Sequence, residues 1–190
     1  MTGEQRKREL RNQCREKAKG LTKEYREKAG EKIKELVISH PAYQQAKTVF
    51  VYVSMPAEPD TRGIIDRALK DGKRVCVPRC GERPRMDAAV IRSREALRPG
   101  ALGIPAPGDD APPVDPAEID LALIPCVAAG RDMSRLGHGA GYYDAFLPQT
   151  NAKRICLCFE RMLTDGIPMT EQDAPMDAVI TEMGVYTKTE

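Results

Sequence analysis

Residues 46–54 read Ala-Lys-Thr-Val-Phe-Val-Tyr-Val-Ser, a run dense in β-branched and aromatic residues of the kind that forms a buried strand. The segment after this strand constrains the fold more than any other part of the chain. A turn through Met55-Pro56-Ala57-Glu58-Pro59 reaches Asp60 and Thr61, either of which suits a helix N-cap. Ile64, Ile65, Ala68 and Leu69 then fall on one helical face as far as about Lys70, Gly72 ends the run, and Arg74–Pro78 is again apolar and β-branched. Strand, helix and strand within about 35 residues make a βαβ unit, which requires a parallel sheet covered by helices.

The rest of the chain extends that unit. Met86–Ile91, Ile119–Val127, Arg154–Phe159 and a last short run, Ala178–Thr181, all read as strands. No internal repeat breaks the pattern, so we expect one α/β domain over residues 1–190, built on a mostly parallel sheet flanked by helices. Residues 98–118 carry six prolines and read as a long irregular connection, which is more often a functional lid than a simple turn. Open α/β sheets bind ligands at the carboxyl ends of their strands. Glu58 occupies such a place, where its carboxylate is able to hold a substrate N–H group or to remain a surface acid.

Residues 4–38 read as helix, broken near Gly20-Leu21-Thr22, with Thr22 capping the second part. Charge is concentrated here: residues 1–35 hold 12 Lys and Arg against 7 Asp and Glu, whereas the remainder holds 18 against 21. Lys7, Arg11 and Arg15 lie four apart and form one cationic ridge. Such a ridge can clamp a polyphosphate or simply face water. A basic helical arm over residues 1–38 on a mildly acidic body points to an anionic ligand near the arm.

The segment Arg135-Leu136-Gly137-His138-Gly139-Ala140-Gly141-Tyr142-Tyr143-Asp144 places glycines at three alternate positions between a strand and a helix-compatible run, Tyr142–Leu147. A glycine-rich loop opening a helix can present backbone N–H groups to a phosphate, with Arg135 as a cation and Asp144 as a magnesium ligand. The same spacing also suits a tight turn with no ligand.

Six cysteines are present, without paired Cys-x-x-Cys spacing, so no structural zinc site is indicated. Cys76, Cys126, Cys156 and Cys158 lie in apolar runs and read as reduced structural thiols. No apolar stretch approaches membrane-spanning length, and the charged N-terminus lacks a signal-peptide core. The expectation is a cytoplasmic protein without a membrane partner. No nucleic-acid reader motif accompanies the basic arm, so a nucleic-acid partner is not expected.

With these residues in place the chain resembles the 5-formyltetrahydrofolate cyclo-ligase (methenyltetrahydrofolate synthetase) family. The resemblance rests first on the Arg135–Asp144 segment. Weaker matches agree with it in order and spacing: Lys7, Leu10, Arg11 and Arg15; Tyr52-Val53-Ser54-Met55 with Glu58 and Thr61; Gly72-Lys73-Arg74 with Pro78; Met86-Asp87; Gly103-Ile104-Pro105 with Pro107; and Asp173 with Asp177. It implies a three-layer α/β fold with an open, mostly parallel sheet, and an ATP- and magnesium-dependent closure of 5-formyltetrahydrofolate to 5,10-methenyltetrahydrofolate, with release of ADP and phosphate, in a monomer or weak homo-oligomer. Lys7, Arg11 and the loop Arg135, Leu136, Gly137, His138, Gly139, Ala140, Gly141, Tyr142 and Tyr143 correspond to the ATP site, with Arg15 on the same ridge. Asp144 and Asp173 correspond to magnesium ligands. Val53, Glu58 and His138–Tyr142 correspond to the folate pocket. No residue is assigned as an acid, base or nucleophile. The chain departs from the family at His138 (usually Tyr or Arg), Ala140 (usually Gly or Lys), Ala128-Ala129-Gly130, Met162 and Gln172, and it has no tryptophan. These departures fall on the folate side, so the alternative is a paralogue that binds ATP but uses or senses another ligand.

Overall fold

A computed structural model describes residues 2–100 and 103–188. Two 17-residue helices open the chain, α1 (Gly3–Lys19) and α2 (Lys23–Ser39). Each is capped by a threonine: Thr2 Oγ1 accepts from Gln5 N–H, and Thr22 Oγ1 accepts from Tyr25 N–H. The short α3 (Pro41–Gln45) leads into β1 (Thr48–Val51), α4 (Arg62–Lys70) and β2 (Arg74–Cys80). The βαβ unit is therefore formed, with Val49 opposite Val75 and Phe50 opposite Cys76 in parallel register. Asp60, not Thr61, caps α4 through its side chain, because Thr61 Oγ1 donates to Tyr52 O instead.

Further strands are β3 (Met86–Ile91), β4 (Leu97–Pro99), β5 (Pro105–Pro107), β6 (Pro113–Val114), β7 (Leu121–Ile124), β8 (Ala128–Gly130) and β9 (Arg135–Leu136). The chain continues with α5 (Tyr142–Phe146), β10 (Lys153–Leu157), β11 (Leu163–Thr164), β12 (Ala178–Thr181) and β13 (Gly184–Thr187). The main sheet has eight strands in the order β13-β12-β10-β7-β1-β2-β3-β6. The five inner strands, β12 to β2, run parallel, and β13, β3 and β6 are antiparallel additions at the two edges. Every residue of β1, β7 and β12 is buried, which is why these strands read as unbroken apolar runs instead of alternating. Helix α2 packs on β12 and β13, α4 on β2, and α5 on β3. Phe50 of β1 stacks on Phe146 of α5 with ring centroids 5.0 Å apart. One core cluster of buried residues runs from Cys14 to Ile180.

Several expectations are corrected. The basic N-terminal segment is not a free arm: Lys7 and Cys14 of α1 and Ala29, Gly30, Ile33 and Val37 of α2 are buried. The long connection is not irregular throughout, because β4 and β5 form a hairpin with Leu97 opposite Pro107, and β6 joins the main sheet. The central strand stops at Ile124, since Pro125 has no N–H to continue the ladder. The glycine segment does not follow that strand directly: β8 intervenes, and it pairs with β9, the start of the segment, and with the later β11 in a separate three-stranded sheet. Its helix is only five residues long, as Pro148 falls in the next turn, so the helix dipole contributes little there. Ala178–Thr181 is not the last strand, since β13 pairs antiparallel with it.

Candidate active site

The order of strands selects one place on the sheet. After β1 the chain crosses through α4 to β2 on one side, while β7 lies on the other side of β1. The loops leaving the carboxyl ends of β1 and β7 therefore diverge, and the crevice between them is where open α/β sheets bind ligands. A cavity of about 440 Å³ occupies it, within the usual range for small-molecule sites.

All fifteen residues singled out from the sequence line this cavity: Lys7, Arg11, Val53, Glu58, Arg135, Leu136, Gly137, His138, Gly139, Ala140, Gly141, Tyr142, Tyr143, Asp144 and Asp173. Arg15 lines it too, so the cationic ridge of α1 faces the crevice. Cys80, Arg83, Pro125 and Ala106 of β5 also line it without having been singled out. Cys80 ends β2, and the rule that selected Glu58, the carboxyl end of a parallel strand, would have found it.

The loop after β1 buries Glu58. Tyr52 donates its hydroxyl to Pro59 O at 2.8 Å, and Ser54 N–H and Oγ bond with Thr61. This brace turns Glu58 inward, where Oε2 accepts from Met55 N–H at 2.8 Å. Its other oxygen, Oε1, lies 2.9 Å from His138 Nε2 on the glycine loop. The carboxylate is thus nearly enclosed, its side chain 4% exposed, whereas the imidazole stays 39% exposed. Tyr143 lies close by, and its phenol is held well above the ordinary range by burial and by the Glu58 charge. It therefore remains a hydroxyl donor at neutral pH.

The glycines of the loop have identifiable roles. A Cβ on Gly137 would sit 2.8 Å from Arg135 Nη1, so glycine is needed where the guanidinium lies against the backbone. Gly139 has φ +95°, a left-handed value unfavourable to side chains, and a Cβ there would approach Arg11 Cζ at 3.4 Å. Arg11 Nε donates to Gly137 O at 2.9 Å. The loop is therefore shaped first around two arginines.

Arg135 is buried and donates from Nη2 to Asp144 Oδ1 at 2.8 Å and from Nη1 to Pro125 O at 3.3 Å. Its Nε is buried without a hydrogen-bond partner among the described residues, an uncommon state that costs free energy on the order of 1–3 kcal/mol. Lys7 is equally buried and pairs with Asp173. Asp173 also accepts from Thr170 N–H at 2.6 Å and Thr170 Oγ1 at 2.8 Å. Burial raises the Asp173 carboxyl, but the bonds from Lys7 and Thr170 outweigh it and hold the group below its ordinary value. Asp144 and Asp173 each bond through one oxygen; among the described residues neither Asp144 Oδ2 nor Asp173 Oδ1 has a hydrogen bond. No group of three or more His, Cys, Asp or Glu able to hold a metal occurs among the described residues. Cys126, Cys156 and Cys158 are buried thiols, and Cys80, the exposed one, is raised by burial of its sulfur, so no thiolate nucleophile faces the crevice. No helix among the described residues is long and apolar enough to cross a membrane.

The comparisons with known proteins agree with this geometry. A family model described as the 5-formyltetrahydrofolate cyclo-ligase family matches residues 3–182. The mouse 5-formyltetrahydrofolate cyclo-ligase is 30% identical over 189 residues, covering 93% of each chain. A probable 5-formyltetrahydrofolate cyclo-ligase of Caenorhabditis elegans is 32% identical over 176 residues and 85% of each chain. Among solved structures, the 5,10-methenyltetrahydrofolate synthetase of Aquifex aeolicus superposes with a TM-score of 0.87 at 28% identity, covering 97% of this chain and 93% of that one. Matched along nearly its whole length, and with the motif residues gathered around one crevice, the chain belongs to the 5-formyltetrahydrofolate cyclo-ligase family.

Proposed function

We propose that this protein converts 5-formyltetrahydrofolate to 5,10-methenyltetrahydrofolate at the expense of ATP. The observation that carries this reading is the convergence, on one cavity, of the cations Lys7, Arg11 and Arg135 with the buried acid Glu58. An N-formyl oxygen is a poor nucleophile and a poor leaving group. Its attack on the γ-phosphorus of ATP breaks the bond to the β-phosphate oxygen, and ADP departs. The carbon then carries a phosphate, and attack by N10 closes the ring. Loss of the N10 proton and of phosphate completes the cation product.

Phosphoryl transfer of this kind depends on positioning and charge neutralisation. Arg11 is held by Nε on Gly137 O, and its two terminal nitrogens make no hydrogen bonds among the described residues, so they are available to phosphate oxygens. Arg15 adds a cation to the same wall. Lys7 and Arg135 are fixed by Asp173 and Asp144 and supply positive charge in a low-dielectric wall, where it acts more strongly than in water. Val53 and Tyr142 give the apolar and aromatic surface that a flat pterin requires. On this reading residues 1–190 act as one domain.

The donor set also suits magnesium. Two carboxylates with one uncommitted oxygen each, beside a phosphate site, match the one or two acids by which Mg²⁺ is usually held together with substrate phosphates. Asp144 and Asp173 would hold it, and it would supply neutralisation of the β- and γ-phosphate charge. The test is growth of methenyltetrahydrofolate absorbance on mixing protein, 5-formyltetrahydrofolate, ATP and Mg²⁺. Folded protein that produces none overturns the proposal. A paralogue acting on another ligand would bind nucleotide by calorimetry yet leave this folate unchanged.

A further inference from the structure

The contact between Glu58 and His138 has the form of a proton-accepting pair. Glu58 is enclosed and anchored from behind by Met55 N–H at 2.8 Å, while its free oxygen lies 2.9 Å from His138 Nε2. A carboxylate accepts and does not donate, so in neutral His138 the proton sits on Nε2. Nδ1 is then left with its lone pair, and it makes no hydrogen bond among the described residues. The ring is 39% exposed on the cavity wall. A buried acid that fixes the tautomer of a half-exposed imidazole is how proteins prepare a general base.

The chemistry requires such a base. When N10 attacks the phosphorylated carbon, a C–N bond forms and N10 becomes an ammonium. Its N–H bond must also break, because the amidinium product carries no proton on N10, and that proton has to leave the ring system. We propose that His138 Nδ1 accepts the N10 proton and that Glu58 is the positioning residue that orients the ring and stabilises the resulting imidazolium. This role rests on the ring-closing activity proposed above. The other titratable groups on the cavity walls are less suited to the task. Arg11, Arg15 and Arg83 are cations, Cys80, Tyr52 and Tyr143 hold their protons, and Tyr142 donates its hydroxyl to Gly81 O; Lys7 and Arg135 are paired with Asp173 and Asp144, and those two carboxylates are the groups assigned above to magnesium.

The test uses the full chain with 5-formyltetrahydrofolate and ATP. A protonated imidazole has no lone pair to offer, so wild-type kcat falls toward acidic pH. His138→Ala lowers kcat about 100-fold, loses that acidic limb and regains activity with added imidazole. Glu58→Gln lowers kcat and keeps a limb, since the ring remains. Imidazole-dependent recovery supports the role; kcat of His138→Ala within twofold of wild type, or an unchanged limb, overturns it. Nitrogen-15 shifts of wild-type protein test it without a variant: neutral His138 carries its proton on Nε2, and a proton on Nδ1 overturns the pair. Wild-type protein that makes no methenyl product sinks the underlying activity and this role together, whereas active wild type with an unaffected His138→Ala sinks only the role.

Discussion

Helices α1 and α2 have the same length, the same kind of cap and similarly charged surfaces, yet they use their inward faces differently. Helix α2 buries Ala29, Gly30, Ile33 and Val37 and packs on β12, β13 and α4. Helix α1 buries Lys7 and Cys14 and turns Lys7, Arg11 and Arg15 toward the crevice. In one helix the inward face is core, and in the other it is a wall of the site. A cationic ridge without many apolar neighbours can therefore still be the inward face when carboxylates and carbonyls wait opposite it. Here Asp173 and Gly137 O play that part.

The largest expected effect breaks the α2 side. Ile33 is fully buried, and Ile33→Ala should cost about 2–5 kcal/mol of stability by transfer and cavity terms, read by urea unfolding. Turnover per folded molecule should stay at the wild-type value; a comparable loss of kcat would erase the distinction between the helices. Next comes Lys7→Met, which keeps an apolar stem and removes the charge. Hydrogen bonds to charged groups contribute roughly 1.5–3 kcal/mol, so the apparent KM for ATP should rise about 10- to 100-fold while the protein still folds. An unaltered KM would return α1 to a purely structural role.

The same pair gives a pH signature. The Asp173 carboxyl is held below its ordinary value of about 3.9 in spite of its burial. Its contribution is therefore fully present above that ordinary value and is lost as pH falls through the lowered folded value. Wild-type stability should decline more steeply than that of Lys7→Met below about pH 4; parallel curves would show that the pair adds nothing. Gly139→Ala should cost about 1–2 kcal/mol, the penalty of a left-handed Cβ, and should weaken ATP use as Arg11 is pushed aside. The smallest effect belongs to the outer face of α2. Lys28 and Glu24 pair at 2.7 Å but are 78% and 76% exposed, so Lys28→Ala should change the melting curve by less than about 0.5 kcal/mol. A larger change would reveal a role for that face.

Much of this was legible in the chain. The βαβ unit announced itself because β1 and Val75, Cys76 and Val77 of β2 are buried and α4 keeps its apolar stripe, Ile64, Ile65 and Ala68. The edge strands were harder. Gly184–Thr187 alternates half-buried and exposed residues over four positions, too short a pattern to separate from a tail. The small β8-β9-β11 sheet has two- and three-residue strands joined by distant pairing, such as Leu163 with Ala129, and local pattern carries no trace of that. Glu58 and the Arg135–Asp144 loop were found because chemistry concentrates in loops at strand ends, Lys7 and Arg11 by their helical spacing, and Val53 and Asp173 only through the family resemblance. Their partners were not. Nothing in the spacing of Glu58 and His138, 80 residues apart, foretells a 2.9 Å contact, and the glycines read as a phosphate cradle when two of them first make room for Arg135 and Arg11.

On the proposed function, one crevice serves both nucleotide and folate. The most direct measurement follows ADP and methenyltetrahydrofolate together after 5-formyltetrahydrofolate and ATP are mixed with the protein. One ADP released per methenyl product, with neither appearing when either substrate is omitted, is the predicted result. ATP cleavage that proceeds without folate, or ring closure that proceeds without ATP, would contradict it.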